Sequence, residues 1–279
     1  MTSASKAVLA LIVLVVIAAA GIWYWNSSHP PTLPTLLPPP AQPAPPQAAA
    51  PAGPLHPIEA PAEQPLPALD QSDGVVGAAL AGLDRDAVAR FLNLEGFIRR
   101  VVATIDNLPR ESYAARLNPV KPTAGLPVTR GEGSSLVLAP ENAARYTPFV
   151  KAMQAVDTRR IVEVYRHFYP LFQQAYVELG YPNGYFNDRL VEVIDHLLDA
   201  PEVAGPIRLK VPHVLYEYAD PDLQSLSSGR KVLVRMGVDN ERRVKAKLRE
   251  IRAAVTAQPP QVPKPAAGES APAPEPKRP

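Results

Sequence analysis

The stretch DTRRIVEVYRHFYPLFQQAYVELG, residues 157 to 180, carries a helical period. At 100° per residue, Ile161, Val164, Tyr165, Phe168, Phe172, Ala175, Tyr176 and Leu179 fall in one stripe. Arg159, Glu163, Arg166, His167, Gln173 and Gln174 fall opposite. Arg159–Glu163 and Glu163–His167 are i,i+4 neighbours that support the helix. Asp157 or Thr158 can cap its start, and Gly180 with Pro182 closes its end. Pro170 sits on the polar face. It removes one helical hydrogen bond there, which predicts a bend with the solvent side convex.

The same pattern continues on both sides. Glu95 to Leu108 places Phe97, Ile98, Val101, Ile105 and Leu108 on one face, and Pro109 stops it. Ser72 to Leu83 and Asp84 to Leu92 read as two shorter helices. A helix from about Asn142 to Val156 carries Phe149, Val150, Met153 and Val156. Phe186 to Asp199 and Asn240 to Val255 are the last clear ones. Two places resist helix. Leu126 to Thr129 and Ser135 to Leu138 flank Gly131-Glu132-Gly133 and read as a hairpin. Ile207 to Val211, between two prolines, is short and β-like. Residues 71–257 are therefore expected to form one mainly α domain, an irregular multi-helix bundle with one small β-hairpin.

Outside that region the composition changes. The chain has 279 residues and 35 Pro, more than twice the roughly 5% of average usage. Residues 26–70 hold fifteen of them and residues 258–279 hold eight. The run Pro38 to Pro54 has almost no β-branched or aromatic residue and cannot offset its chain entropy by burial. Both stretches are expected to be disordered, the first as a tether that reaches at most about 140 Å if fully extended as polyproline II. Before it, Ala7 to Trp25 is apolar without charge or Pro. As a helix it spans about 28 Å, close to the hydrocarbon core of a bilayer. Lys6 flanks one side, and no Lys or Arg follows until Arg85. The positive-inside rule then leaves residues 1–6 in the cytoplasm and exports everything after residue 25. Trp23, Tyr24 and Trp25 suit the far interface. A cleaved signal peptide ending near Ala18-Ala19-Ala20 and a buried core helix are the other readings of this run.

Charge and chemistry narrow the field. A net charge of +2 argues against a dedicated nucleic-acid binder. Zero Cys excludes disulfides, thiolate metal sites and a thiol nucleophile. No GxSxG, P-loop or dinucleotide fingerprint is present, so no cofactor is read from the sequence. Three constellations remain. Tyr181, Tyr185, Phe186, Asn187, Asp188 and Arg189 combine aromatic rings with amides, a carboxylate and a guanidinium, which suits a surface for a peptide or sugar. The alternative is a helix–helix corner, with Asn183-Gly184 making the turn and Asn183 or Asn187 capping the next helix. Glu178, Asp188 and Glu192 are the candidate acids or bases for a wall-acting hydrolase or lyase. Asp188, Glu192 and Asp195 share a helix face opposite Leu190, Val193, Ile194, Leu197 and Leu198, so a solvated acidic stripe is the plain reading. No metal site is read, because HxxxH and ExxH are absent; His167, His196 and His213 meet only if the fold brings them together. Finally, Arg242, Arg243, Lys245, Lys247, Arg249 and Arg252 make the last helix basic, either as an electrostatic contact for anionic lipid, nucleic acid or an acidic partner or as a peripheral solvated face.

Several short runs occur together in a known pattern. Asp106-Asn107-Leu108-Pro109, Ala144-Arg145-Tyr146, Gln173-Gln174-Ala175-Tyr176, Tyr181 to Leu190, Asp195 to Leu198, Tyr218 to Pro221, Lys231 and Arg235-Met236-Gly237 resemble a bacterial family known as domain of unknown function 3014. The resemblance covers nearly all of residues 71–257. It implies a single-pass protein of the Gram-negative inner membrane with a Pro-rich tether. It implies no activity and no catalytic residue. The combined expectation is a bilayer-anchored periplasmic domain that binds an envelope protein or cell-wall component.

Overall fold

The computed structural model describes residues 53–58, 65–112, 115–212 and 215–257. The apolar run 7–25, the tail from 258 and His213 lie outside the described residues. The described part is mainly helical, with two small antiparallel ladders.

Helix α1 (Asp73–Phe91) contains one residue, Asp84, with non-helical backbone angles. The Asp84 carboxylate accepts the Ala87 amide at 2.9 Å. It therefore caps the second half and divides α1 where the sequence placed a boundary between two helices. Helix α2 (Phe97–Asn107) begins after Gly96 at φ 59. Its first amides are met by a distant carboxylate: Asp73 accepts from Gly96 N at 2.6 Å and Phe97 N at 3.1 Å.

The hairpin forms as expected from the Gly131-Glu132-Gly133 signal. Strands β1 (Thr129–Arg130) and β2 (Val137–Leu138) pair Thr129 with Leu138. A Cβ on Gly131, at φ 75, would lie 2.5 Å from the Ser135 carbonyl oxygen, so only glycine closes this turn. The β-like stretch near Ile207 is β3 (Leu209–Lys210), which pairs with β4 (Glu217–Tyr218). This second ladder adds to the single hairpin expected. The two are joined by a bridge between Val137 and Arg208.

The helix expected over 142–156 is two elements, a 3-10 turn over Pro140–Arg145 and α3 (Thr147–Ala155). Pro148 has no amide to extend the first into the second. Helix α4 (Thr158–Glu178) starts on Asp157, whose carboxylate accepts the Arg159 and Arg160 amides. It runs through Pro170, which is exposed. Phe168, Phe172, Ala175 and Tyr176 are buried as expected, and Val162 and Leu171 are buried too. Leu179 is the C-cap that follows the last helical residue, and it is exposed. The stripe is wider than the sequence suggested because α4 packs on more than one side, against α2 and α1 and against the last helix.

Helix α5 (Phe186–Leu198) is followed by the short α6 (Pro221–Gln224), by α7 (Ser228–Arg235) and by α8 (Val238–Thr256). Helix α8 packs against α3, α4, α5 and α7. It is central, not peripheral, and Val244, Val255, Lys245 and Lys247 are all buried. The main core joins Val76, Ile98, Val102, Phe168, Phe172 and Phe186. A second cluster around Val150, Val193, Leu233 and Val244 ties α3, α5, α7 and α8 together.

Part of the expected tether belongs to the domain. Leu69 is buried in the main core and Leu66 packs against it. Ile58 packs against Val162, Val191 and Val255. These aliphatic residues interrupt the proline run, and each has an apolar surface to cover.

Helix α7 meets the end of α2 at a close approach. The Gly229 amide donates to the Leu108 carbonyl at 2.9 Å. A Cβ at Gly229 would sit 2.6 Å from Leu197 Cδ2 and 3.0 Å from Leu108 O. Gly229→Ala should therefore destabilise the fold by about 1–3 kcal/mol. Gly74→Ala, on an exposed first turn with nothing within 4 Å of the new Cβ, should be neutral or stabilising by up to about 1 kcal/mol. Urea midpoints of the two variants check this.

Candidate functional site

The α4–α5 corner is built by one glutamine. Gln173 on α4 donates from Nε2 to the Gly184 carbonyl at 2.7 Å, and its Oε1 accepts the Phe186 amide at 2.8 Å. Gln173 thus serves the open start of α5, a capping role the sequence assigned to Asn183 or Asn187. Gly184 lets the chain pass Tyr176, since a Cβ there would lie 2.9 Å from that ring. Tyr181 stacks on Tyr176 at 4.6 Å between centroids.

Successive residues of α5 point about 100° apart, and each meets a different neighbour. Phe186 is fully buried and stacks on Phe172. Asn187 is also fully buried. Its Oδ1 accepts from Tyr165 Oη at 3.1 Å, and its Nδ2 donates to Val255 O at 3.2 Å and His56 O at 2.9 Å. Asp188 accepts two consecutive amides, Leu55 N at 2.9 Å and His56 N at 2.8 Å. Arg189 donates from Nε to Asp106 Oδ1 at 3.1 Å and from Nη2 to Asp106 O at 2.9 Å, and pairs with Glu192. Asp106 also accepts from Arg110 at 2.7 Å and from Tyr181 Oη at 3.1 Å.

The six candidate residues are therefore brought together but do not form one surface. Phe186 and Asn187 are interior, which corrects their expected place on a binding face. The first turn of α5 faces α4, so its ring and amide go inward. Tyr181, Tyr185, Asp188 and Arg189 are half-buried. Asp188 and Asn187 act as a clamp on the backbone of residues 55 and 56, a contact that pattern reading could not see. The clamp spans more than 130 positions of sequence.

The candidate acids are engaged. Glu178 lines an open cleft of about 470 Å³ with Glu95, Arg99, Arg100, Leu117 and others. Hydrogen bonds from Gln174 and then Arg99 hold its carboxyl below the usual carboxylate range. A proton donor for glycan cleavage needs the opposite shift. Asp195 is likewise held down by Arg252, with Nη2–Oδ2 at 2.8 Å. Glu192 is exposed and paired with Arg189. His167 packs edge-on to Phe168, whereas His196 Nε2 lies 2.8 Å from Ser227 Oγ. Among the described residues no group of three His, Cys, Asp or Glu is placed to hold a metal ion.

The basic run of α8 divides. Lys245 is buried and reaches Ala200 O at 2.5 Å and Glu241 at 2.9 Å. Lys247 is buried and reaches Thr158 Oγ1 at 2.9 Å and Val156 O at 3.1 Å. Arg242 pairs with Glu202 and Arg252 with Asp195. Arg243 and Arg249 stay exposed. The four-carbon lysine stems cover apolar surface while their heads find carbonyls, so a run of like charge is not a single face. Glu241 is almost wholly buried, and burial raises its pKa, opposed by Lys245. A second cavity, about 560 Å³, lies between the hairpin, residues 203–207 and the start of α8, with Arg130, Asn142, Arg235 and Asp239 on its wall. Its wall comes from distant segments, and no local sequence signal announces it.

One family model matches the chain, over residues 97–252, and its description is "Protein of unknown function (DUF3014)". No curated protein matches. No solved structure matches.

Two outcomes follow from this geometry. The Asp106 side chain is only 3% exposed and that of Arg189 18%. Asp106→Ala leaves the guanidinium of Arg189 without its buried partner and should cost about 3–5 kcal/mol in urea unfolding. Burial of the His196 ring, then the Arg230 guanidinium, lowers its pKa from the usual 6.5. The unfolded chain then binds the proton more readily. Stability from His196 is complete above pH 6.5 and is lost as pH falls through the lowered pKa. His196→Gln should flatten that part of a urea-midpoint against pH curve.

Proposed function

From its membership of the DUF3014 family, which a match over more than half of the chain establishes, we propose that this chain is a single-pass inner-membrane protein. It carries the helical domain in the periplasm on its Pro-rich tether and acts by binding an envelope protein. The membrane reading rests on the apolar run Ala7 to Trp25 and on the absence of Lys and Arg between it and Arg85. Binding is favoured over catalysis by one observation above the others. Asp188 and Asn187 form a preset pair of side chains that grips an extended backbone, whereas Glu178 and Glu192 are tied to arginines. A backbone clamp recognises polypeptide, which favours a protein partner over a glycan.

A phosphatase fused to the C-terminus tests the membrane part. It should be active, because the enzyme folds only outside the cytoplasm, and an inactive phosphatase with an active cytoplasmic reporter at the same site would overturn the topology. A photo-crosslinker at Tyr185 in the membrane-embedded full chain tests the binding part. It should capture one envelope protein reproducibly. Release of soluble fragments from peptidoglycan by the wild-type chain, lost in Glu178→Gln, would replace binding with hydrolysis.

A further inference from the structure

We propose that the junction of α5, α4 and α8 is a peptide-binding groove that the chain fills with its own residues 53–58. A partner segment of the same chemistry can exchange into it. That segment is a bent peptide of the form Pro-x-x-Pro-aliphatic with free amides at its two central positions. This inference rests on the binding role proposed above and names the ligand class and regulation of that site.

The seated segment is Gly53-Pro54-Leu55-His56-Pro57-Ile58, with a bend at Leu55 and His56. It is read through its main chain. Each oxygen of Asp188 takes one of two successive amides, and Asn187 returns a donor to the His56 carbonyl. Leu55 is 78% exposed, and its side chain is not read. Proline at either central position would remove a required amide. The prolines on each side restrict the free peptide and lower the ordering cost of binding. Selectivity comes from Ile58, which lies on Val162, Val191 and Val255 beside Tyr165 and Ile251.

Two of the groove's polar contacts do not involve its occupant. Tyr165 Oη holds one end of the Asn187 amide and Val255 O accepts one of its two N–H bonds. The remaining N–H points at the strap, from a side chain that is fully buried. Asp188 lies in the first turn of α5, where the helix dipole favours its negative charge. The receiving residues from Val162 to Ile251 lie inside the family match, whereas Val255 and the strap lie outside it.

The strap is held lightly. Among the described residues, three hydrogen bonds, one half-buried isoleucine and an electrostatic interaction of His56 with Asp195 secure it. Such a segment opens locally at far lower cost than the domain unfolds. Being attached, it still competes at high effective concentration. The resident strap therefore sets a threshold that only a concentrated or tight partner crosses.

The test uses the full-length chain in detergent and a fluorescent peptide spanning Ala52 to Ala60, read by anisotropy. In a Leu55→Pro/Ile58→Asp chain the strap loses one amide and its aliphatic anchor, and the peptide should bind about tenfold or more tighter than to wild type. The same peptide carrying Leu55→Pro should not bind. Adding Asp188→Ala to the strap variant should return the affinity to the wild-type level or below. Far-UV circular dichroism and a cooperative thermal transition confirm that each chain is folded. Equal binding by the wild-type and strap-variant chains overturns the proposal, as does binding indifferent to Asp188 or to the proline in the peptide. Persistence of the Tyr185 crosslink alongside such a result would remove the groove and leave the binding role standing.

Discussion

The arrangement of this domain depends on one buried carboxylate. Asp106 lies near the end of α2, with its side chain 3% exposed. An ion in that setting costs several kcal/mol of desolvation and must be met from all sides. Here it is met by Arg189 from α5, Arg110 from the following turn and the Tyr181 hydroxyl from the α4–α5 corner. Arg189 also takes the Asp106 carbonyl. Charge-assisted bonds of this kind have directional preferences. They set the rotation of α5 about its own axis. With Arg189 turned toward α2, Asn187 must point inward and Asp188 toward residues 55 and 56.

The same logic explains the last helix. Its charges suggest a solvated surface, but α8 is packed on four neighbours. Two of its lysines solve the conflict by sending their ammonium groups to carbonyls that end other elements, Ala200 after α5 and Val156 after α3. Those carbonyls lie just past the helix ends and have no partner within the helix. The lysines therefore work as internal fasteners. Glu241, buried beside Lys245, shows the cost side of this design, since burial raises its pKa.

Much of the secondary structure was legible because it depends on local chemistry. Asp84 breaks α1 by capping the Ala87 amide, Gly131 is needed for a turn, and Asp157 opens α4. The structure departs from the periodicity at helix ends and where a residue answers to a distant partner. The Asn142–Val156 stretch is divided at Tyr146, two residues before Pro148, which sits in the first turn of α3. Leu179 fell on the stripe by angle but lies beyond the helix end. For Phe186 and Asn187 the residue types were right for an interface, and the corner alternative was the better description, with Gln173 as the cap. Nothing local marks Gln173 for that role, because the Gly184 carbonyl and the Phe186 amide it serves lie more than ten residues on.

What the sequence determined by itself is the material: a mainly helical domain, a hairpin, proline-rich flanks and an apolar run of bilayer length. Periodicity, turn chemistry and composition act within a few residues, so they survive without a fold. What the tertiary structure alone decided is which polar groups remain available. Asp188 read as an acid on a wet stripe and is a receptor for two backbone amides. Residues 53–58 read as spacer and are its occupant. That outcome depends on bringing together groups more than 130 positions apart, and a hydrogen bond, unlike a helical period, exists only at contact distance.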